Sequence, residues 1–168
     1  MGQRLCQNFN CTDMKKLILF FLTASFCIGV HAQTAEDSIK ATINKLFEGM
    51  KNGDAVMLKS CFAKDGVLQS VSTDSVGTVS VRTEDLNEFA DFVSKQKSGA
   101  ADERIVFETI KIDGALATVW TPYRFYYNGS FRHCGADSFQ MVRIGKEWKI
   151  QYLIDTRRKT GCAAEPKQ

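Results

Sequence analysis

The chain has 168 residues, of which 44% are hydrophobic and 24% are charged, and its formal net charge is +3 at pH 7. This is the composition of a globular protein, and so small a net charge gives no reason to expect nucleic-acid binding. Much of the excess charge lies before residue 33, because residues 33–168 keep 19 of the 22 Lys and Arg and 18 of the 19 Asp and Glu.

The first 32 residues have the pattern of a secretory signal peptide. Lys15 and Lys16 precede an apolar run over residues 17–30, and Val30 and Ala32 occupy positions −3 and −1 before the expected cleavage site. The run is short for a membrane span. Met14 is a candidate start, which would place residues 1–13 upstream of it. We therefore expect a secreted or periplasmic protein, free of the membrane after cleavage, with one domain over residues 33–168.

Three helices are expected in this domain. Thr34 and Asp37 form a capping pattern, and Gly53 after Asn52 ends the first helix. Asp54 can cap a second, short helix, and Thr83 a third. Strands at Val67–Thr73 and Val76–Thr83 separate the second helix from the third. The predicted buried positions of the first and third helices are Ile39, Ile43, Leu46, Phe47 and Met50, and Leu86, Phe89, Ala90 and Val93.

From Arg104 onward the sequence predicts a meander of strands. Tight turns at Asp113-Gly114, Asn128-Gly129 and Gly145-Lys146 connect them, and the Asn-Gly pair between aromatic arms is a strong hairpin signal. The predicted strands are Arg104–Ile112, Ala115–Tyr127, Phe131–Ile144 and Glu147–Arg157. Helices combined with a long antiparallel sheet predict an α+β fold.

Two-residue turns would fix the register of this sheet. They set Trp120 opposite Asp137, and Asp137 opposite Ile154. Because side chains two apart share a face, one face would carry the bulky residues, and we expect the helices to cover it. Its predicted members are Ile105, Phe107, Leu116, Trp120, Phe139, Met141, Trp148, Ile150, Tyr152 and Ile154. The other face would carry Val119, Thr121, Tyr123, Phe125, Ala136, Ser138, Leu153 and Asp155.

Pro122 requires an edge position, a bulge or a bend, because proline has no N–H to donate to a neighbouring strand. A bulge at Pro122 would reverse the facing of Tyr123 to Tyr127.

Asp137 is the acidic residue among the predicted aromatic positions. A carboxylate buried alone is costly, so Asp137 must reach water, take a partner or have a raised pKa. It is a candidate for ligand binding or proton transfer, with Tyr152 diagonal to it; the alternatives are a register error or a strand-end Asp bonded to backbone. The predicted ligand-binding residues are Phe107, Trp120, His133, Asp137, Phe139 and Tyr152.

Metal and cofactor sites are not expected. His133 is the only histidine in residues 33–168, which excludes a histidine-rich metal site. It lies about 13 Å along a straight strand from Asp137, too far for a dyad. The sequence contains no nucleophile elbow, P-loop or dinucleotide fingerprint.

Three cysteines fall in residues 33–168. Cys61 lies in an apolar helical stretch and is expected to be a small buried residue. The register sets Cys134 opposite Arg157, so the next five residues could curl back and let Cys162 reach Cys134. Two free thiols are the alternative, and export favours the bond.

Several segments resemble the NTF2-like superfamily. Gly53-Asp54, Leu58, Phe62 and Asp65-Gly66 resemble the G-D-x3-L-x3-F-x2-D-G segment of SnoaL-like proteins, and residues 139–150 resemble their last hairpin. His133-Cys134-Gly135 and Asp155–Arg158, with Cys162, resemble the branch labelled putative lumazine-binding. The resemblance covers most of residues 35–162. It implies a cone, in which three helices pack on a long curved antiparallel sheet around a deep cavity, and a homodimer formed through the outer sheet face.

The superfamily includes isomerases, dehydratases and polyketide cyclases as well as non-catalytic binders, and no catalytic motif of these enzymes matches here. Our first expectation is a protein that binds a small, flat or hydrophobic molecule without catalysis. The second is an isomerase or dehydratase of the ketosteroid isomerase type, with Asp137 as base and Tyr152 as hydrogen-bond donor. The third is a protein-interaction module whose interior is filled.

Overall fold

The computed structural model describes residues 34–163, so the predicted signal peptide lies outside the described residues. The helices are α1 (Ala35–Asn52), α2 (Ala55–Ser60) and α3 (Leu86–Ser94). The strands are β1 (Phe62–Thr73), β2 (Val79–Glu84), β3 (Ala101–Ile105), β4 (Thr109–Asp113), β5 (Leu116–Tyr127), β6 (Ser130–Ile144) and β7 (Glu147–Thr156). The predicted strand Arg104–Ile112 is therefore two strands, β3 and β4.

The strands form one sheet in the order β2-β1-β7-β6-β5-β3, and β4 also pairs with β5. The predicted α+β cone is confirmed, but its sheet is mixed, because β1 runs parallel to β7 while the other pairs are antiparallel. The chain between β1 and β7 includes a helix and five strands. A connection of that length does not force the antiparallel pairing that a hairpin turn imposes.

Local signals at the helix ends behave as predicted, with one exception. The Thr34 hydroxyl accepts from the Asp37 N–H at 3.1 Å, Gly53 ends α1 with φ of 72°, and Asp54 caps α2. The third helix is capped by Asp85, which accepts from two backbone N–H groups, and not by Thr83. Thr83 lies within β2, because β2 continues its pairing with β1 as far as Glu84.

Two β-bulges make the predicted register wrong. Tyr126 pairs with Phe131 but Phe125 pairs with His133, so Arg132 is an extra residue in β6. Further along β6, Met141 pairs with Ile150 but Gln140 pairs with Tyr152, so Gln151 is extra in β7. Each extra residue exchanges the faces of the two strands relative to each other.

The bulges decide which side chains meet the helices. On the face that the helices cover, called the inner face below, Thr121 and Asp155 flank Asp137 as its cross-strand partners. Trp120, Tyr152 and Ile154, predicted to be inside, lie on the opposite, outer face. The residues of β5 and β7 predicted to lie outside but found on the inner face are Val119, Thr121, Tyr123, Phe125, Leu153 and Asp155.

Pro122 does not mark a bulge. Its carbonyl accepts a hydrogen bond from the Val106 N–H at 2.9 Å, so the position without an N–H faces the break between β3 and β4. Proline therefore costs β5 no regular ladder bond at this point.

The core lies between α1 and the inner face. Ile39, Ile43, Leu46 and Met50 of α1 are buried, as predicted. Phe139 is fully buried and meets Phe47 edge-on, with ring centroids 6.4 Å apart. Cys61 is a buried free thiol, as expected. Of the helices between residues 34 and 163, none combines the length and the apolar character needed to cross a membrane.

The structure contains the favoured disulfide between Cys134 and Cys162. The backbone of Cys134 also exchanges two hydrogen bonds with Arg158, at 2.8 and 2.9 Å. This partner is one residue beyond the predicted Arg157, a consequence of the bulge at Gln151. The segment after β7 is thus attached to β6, and a disulfide of this kind is typical of an oxidising compartment.

Gly135 is the position where the sheet tolerates no side chain. A Cβ atom there would lie 1.7 Å from the carbonyl oxygen of Thr156, so backbone would have to move. We predict that Gly135→Ala lowers the free energy of unfolding by about 3 kcal/mol or more, measured by urea denaturation.

Gly114→Ala is the matched control. Gly114 has φ of 58° but no atom within 4 Å of an added Cβ, so it should cost only about 1–2 kcal/mol of backbone strain. Equal losses in the two variants would contradict the close approach of β6 and β7.

Candidate functional site

A cavity of about 570 Å³ lies between the inner face of the sheet and helices α1 and α3. This volume lies within the range of small-molecule sites. Its walls are largely apolar and aromatic, formed by Leu46, Phe47, Met50, Phe62, Leu68, Phe89, Phe92, Ala101, Phe125, Tyr127 and Leu153. The cavity therefore has the size and the lining to hold a small organic molecule.

Polar residues line one part of this cavity, and neighbouring strands supply them. Glu103 comes from β3, His133 and Asp137 from β6, and Asp155 from the end of β7, with Arg157 just beyond it. Asp137 and Asp155 are direct cross-strand neighbours. A group of carboxyls is thus held at fixed positions on a sheet.

One of these carboxyls, Asp155, is fully engaged. Arg157 Nε lies 2.8 Å from its Oδ2, and the Tyr123 hydroxyl donates to the same oxygen at 3.1 Å. The Ser70 hydroxyl donates to Oδ1. Although burial opposes the charge of Arg157, its hydrogen bond and ion pair with Asp155 raise the pKa of the guanidinium. Arg157 and Asp155 therefore form a closed ion pair.

Glu84, which also lines the cavity, contacts both of the arginines in its lining. Its carboxylate lies 2.5 Å from Arg82 Nη2 and 3.5 Å from Arg157 Nη2. Both arginines that line the cavity thus already contact carboxylates of the protein.

Asp137 and Glu103 are different, and we call them the unpaired carboxyls. Asp137 is 3% exposed, and its Oδ2 accepts from the Thr121 hydroxyl at 2.9 Å. Within residues 34–163, neither its Oδ1 nor the Glu103 carboxyl receives a hydrogen bond or forms an ion pair.

Burial is the main cause that raises the pKa of each unpaired carboxyl well above its usual value. The charge of Asp155 adds to the rise in both, and that of Asp137 adds to it for Glu103, while Arg157 offsets part of it. Each of these two groups therefore keeps its proton to a higher pH than an exposed carboxyl does.

His133 and Tyr123 complete the polar region. The His133 ring lies 5.0 Å from Phe125 and 5.7 Å from Tyr123, centroid to centroid. Burial, followed by the charge of Arg157, lowers the pKa of His133, which favours the neutral imidazole. Burial and the neighbouring carboxylates raise the pKa of Tyr123, whose hydroxyl donates to Asp155 and to the Thr156 carbonyl.

The predicted site residues are dispersed. Asp137 and His133 line the cavity. Phe139 is core beneath Phe47, and Phe107 packs against the core with Lys40 Nζ 5.8 Å from its ring.

The placement of Trp120 and Tyr152 beside Asp137 is wrong. Trp120 is 43% exposed on the outer face, and the Tyr152 hydroxyl donates to Gln69 there at 2.7 Å. The Arg132 bulge reverses β5 and the Gln151 bulge reverses the end of β7, so neither ring reaches the cavity.

Sequence reasoning missed Glu103, Arg157 and the site role of Asp155. Glu103 fell before the predicted start of its strand. The predicted register places Asp155 on the outer face together with Leu153, and the bulge at Gln151 brings both residues to the inner face. The cavity-lining aromatics of α1 and α3, Phe47 and Phe89, were predicted only as buried helix positions.

Solved structures define the class of this fold. An NTF2-like protein of unknown function from Shewanella oneidensis MR-1 is 15% identical with a TM-score of 0.58, covering 73% of this chain and 99% of that one. A protein of unknown function with a cystatin-like fold from Nostoc punctiforme is 14% identical with a TM-score of 0.59, covering 76% and 95%. An NTF2-like protein of unknown function from Methylobacillus flagellatus KT is 16% identical with a TM-score of 0.56, covering 77% and 97%. These likenesses establish an NTF2-like fold.

The family follows from the sequence match. The family model described as "Putative lumazine-binding" matches residues 34–152, and the chain belongs to that family. A search of curated proteins finds no significant match.

The raised pKa of Asp137 predicts a pH-dependent stability. Between the usual value near 3.8 and the raised pKa of Asp137, the folded protein keeps a proton that the unfolded chain has released. Because the folded state binds this proton and the unfolded state does not, the free energy of unfolding falls as pH rises from about 4 through the raised pKa of Asp137. Asp137→Asn should therefore stabilise the protein at pH 7 by about 1 kcal/mol, with the gain disappearing below about pH 4.

Asp155→Asn provides the contrast, because it removes the partner of Arg157 and should destabilise the protein at pH 7. Urea denaturation across this pH range measures both variants. A loss of stability at pH 7 in Asp137→Asn would show that its carboxylate has a partner in the folded protein.

Proposed function

We propose that this protein binds a small, flat or largely apolar molecule in its cavity and does not transform it. The observation that carries this proposal is the cavity itself, which combines apolar walls with a polar region where two carboxyls, Asp137 and Glu103, have no ion-pair partner among residues 34–163. Sites that bind small molecules have this composition, since apolar walls supply contact area and a few polar groups set orientation.

The description of the family supports a flat ligand. Lumazine is a flat heterocycle, and Phe47, Phe89 and Phe125 offer aromatic surface against which such a ring could pack. The polar edge of the heterocycle would then face Asp137 and Glu103. The disulfide and the expected signal peptide together support export, so we place this binding in an oxidising compartment.

The arrangement around Asp137 favours binding over catalysis. Tyr152, expected as its hydrogen-bond donor, lies on the other face. Tyr123 is near the site, but its hydroxyl already donates to Asp155 and to the Thr156 carbonyl. The expected pairing of base and donor is therefore not formed. The open cavity also argues against an interaction module with a filled interior.

One observation favours a second candidate, an isomerase. Two carboxyls of raised pKa face the same cavity, and such pairs serve as acid and base in several enzymes. With 5-androstene-3,17-dione as probe, an isomerase would produce the conjugated enone, detected by its ultraviolet absorbance, and Asp137→Asn would lose this activity. We expect no absorbance change above the uncatalysed rate.

Lumazine is the probe for the binding proposal. We predict saturable binding with one molecule per chain, followed by calorimetry and by the fluorescence of the heterocycle. Ala101→Phe should abolish it, because Ala101 lines the cavity and a phenyl group there would occupy the ligand volume. Thermal melting would verify that this variant folds.

Trp120→Ala is the matched control and should leave the affinity unchanged, because Trp120 lies on the outer face. Binding that weakens in Trp120→Ala but survives in Ala101→Phe would place the ligand on the wrong side of the sheet for this proposal. Mass spectrometry of the purified protein under native conditions would identify any ligand that it retains.

A further inference from the structure

We propose that the molecule this cavity recognises is an organic cation, with an apolar body against the aromatic walls and a protonated amine or amidinium between Glu103 and Asp137. This inference rests on the proposed function and adds the chemical class of the ligand.

The charged lining of the cavity is predominantly acidic. Arg82 and Glu84 come from β2, while Asp85 and Glu88 begin α3. The sheet adds Glu103 from β3 and Asp137 from β6. His133, whose pKa is lowered, also comes from β6. Asp155 lies near the end of β7, and Arg157 follows that strand. The lining from α1 is apolar, and β5 contributes Phe125 and Tyr127. Carboxyls thus outnumber guanidinium groups six to two among these lining residues.

Neither guanidinium is available to the unpaired carboxyls. Arg157 binds Asp155 at 2.8 Å and reaches Glu84 at 3.5 Å, while Arg82 binds Glu84 at 2.5 Å. Asp85 accepts from two N–H groups of its own helix. Within residues 34–163, no Lys, Arg or His therefore forms an ion pair with Glu103 or Asp137, and Arg157 acts on them only through its charge at a longer distance.

A cationic ligand supplies what these two groups lack. A protonated amine carries three N–H donors and no acceptor, which matches Asp137 Oδ1 and the Glu103 carboxyl, both free to accept. The surrounding rings of Phe47, Phe125 and Tyr127 add surface that attracts a cation as well as an apolar body. A carboxylate or phosphate ligand would instead meet the other acidic residues of the lining, Glu84, Asp85, Glu88 and Asp155. A neutral ligand could accept a hydrogen bond from a protonated Asp137 or Glu103 but would leave their protons in place.

Proton release gives this proposal a distinctive signature. An opposite charge between two carboxyls favours their ionised forms, so a cation that binds at a pH below their raised pKa values displaces protons from them. A neutral ligand leaves those protons in place. Calorimetry in two buffers of different ionisation enthalpy measures the number of protons released.

The experiment compares three naphthyl probes of similar shape and different charge: 1-naphthylmethylamine as the cation, 1-naphthylmethanol as the neutral molecule and 1-naphthaleneacetate as the anion. At pH 7 we expect the amine to bind at least tenfold more tightly than the alcohol, with proton release, and the acetate to bind most weakly. In the Glu103→Gln/Asp137→Asn double variant the affinities for amine and alcohol should become equal, while that for the alcohol is kept. Each single variant should lose part of the preference.

A control separates local contact from net charge. Asp65→Asn/Glu108→Gln changes the net charge equally at exposed positions outside the cavity and should retain the preference for the amine. Equal binding of amine and alcohol to the unmodified protein would overturn the cation proposal and leave the proposed function standing. Failure of the amine to bind would likewise overturn the cation proposal, while the lumazine measurement decides the proposed function separately.

Discussion

The extra residue Arg132 in β6 is the constraint on which the cavity depends. It exchanges the faces of β5 and β6 relative to the register that the Asn-Gly turn predicts, so that Thr121, Tyr123 and Phe125 lie on the same face as Asp137 and Trp120 lies on the other. Without it, the hydroxyl that binds Asp137 and the one that binds Asp155 would both lie on the other side of the sheet. The bulge in β7 at Gln151 then brings Leu153 and Asp155 to the same face. Two single-residue insertions thus assemble the polar region from separate strands.

The ion pair of Asp155 with Arg157 divides the carboxyls of this region into two kinds. Asp155 has a cation and two hydroxyl donors, so its burial is compensated within the protein. Asp137 has one hydroxyl donor and Glu103, which is partly exposed, has none among the described residues. Their remaining oxygens face the cavity, where water, a proton or a ligand can satisfy them. The Cys134–Cys162 bond attaches the segment just after Arg157 to β6, which keeps this arginine near its partner. The site therefore combines the Asp155–Arg157 ion pair with two carboxyls, Asp137 and Glu103, that have no ion-pair partner among the described residues.

Much of the fold could be predicted because its signals are local. The capping box at Thr34, the left-handed Gly53 and the Asn128-Gly129 turn each act within a few residues, and they give element boundaries that agree with the structure. The bulges have no such signal, since neither Arg132 nor Gln151 is a glycine or proline. Their positions follow from which faces must be buried, a property of the whole sheet. A register counted from the turns therefore predicts the correct face for Asp137. It predicts Trp120 as the cross-strand neighbour of Asp137, whereas the structure has Thr121 there.

The central claim is that the folded protein holds Asp137 and Glu103 in its cavity without an ion-pair partner among residues 34–163. Carbon-13 chemical shifts of labelled Asp and Glu carboxyls, followed against pH in the ligand-free protein, measure this directly. Two resonances, assigned by their loss in Asp137→Asn and Glu103→Gln, should titrate well above the range near pH 4 where exposed carboxyls change charge. Titration of both resonances in that ordinary range would mean that these side chains are solvated or paired, and would contradict the account.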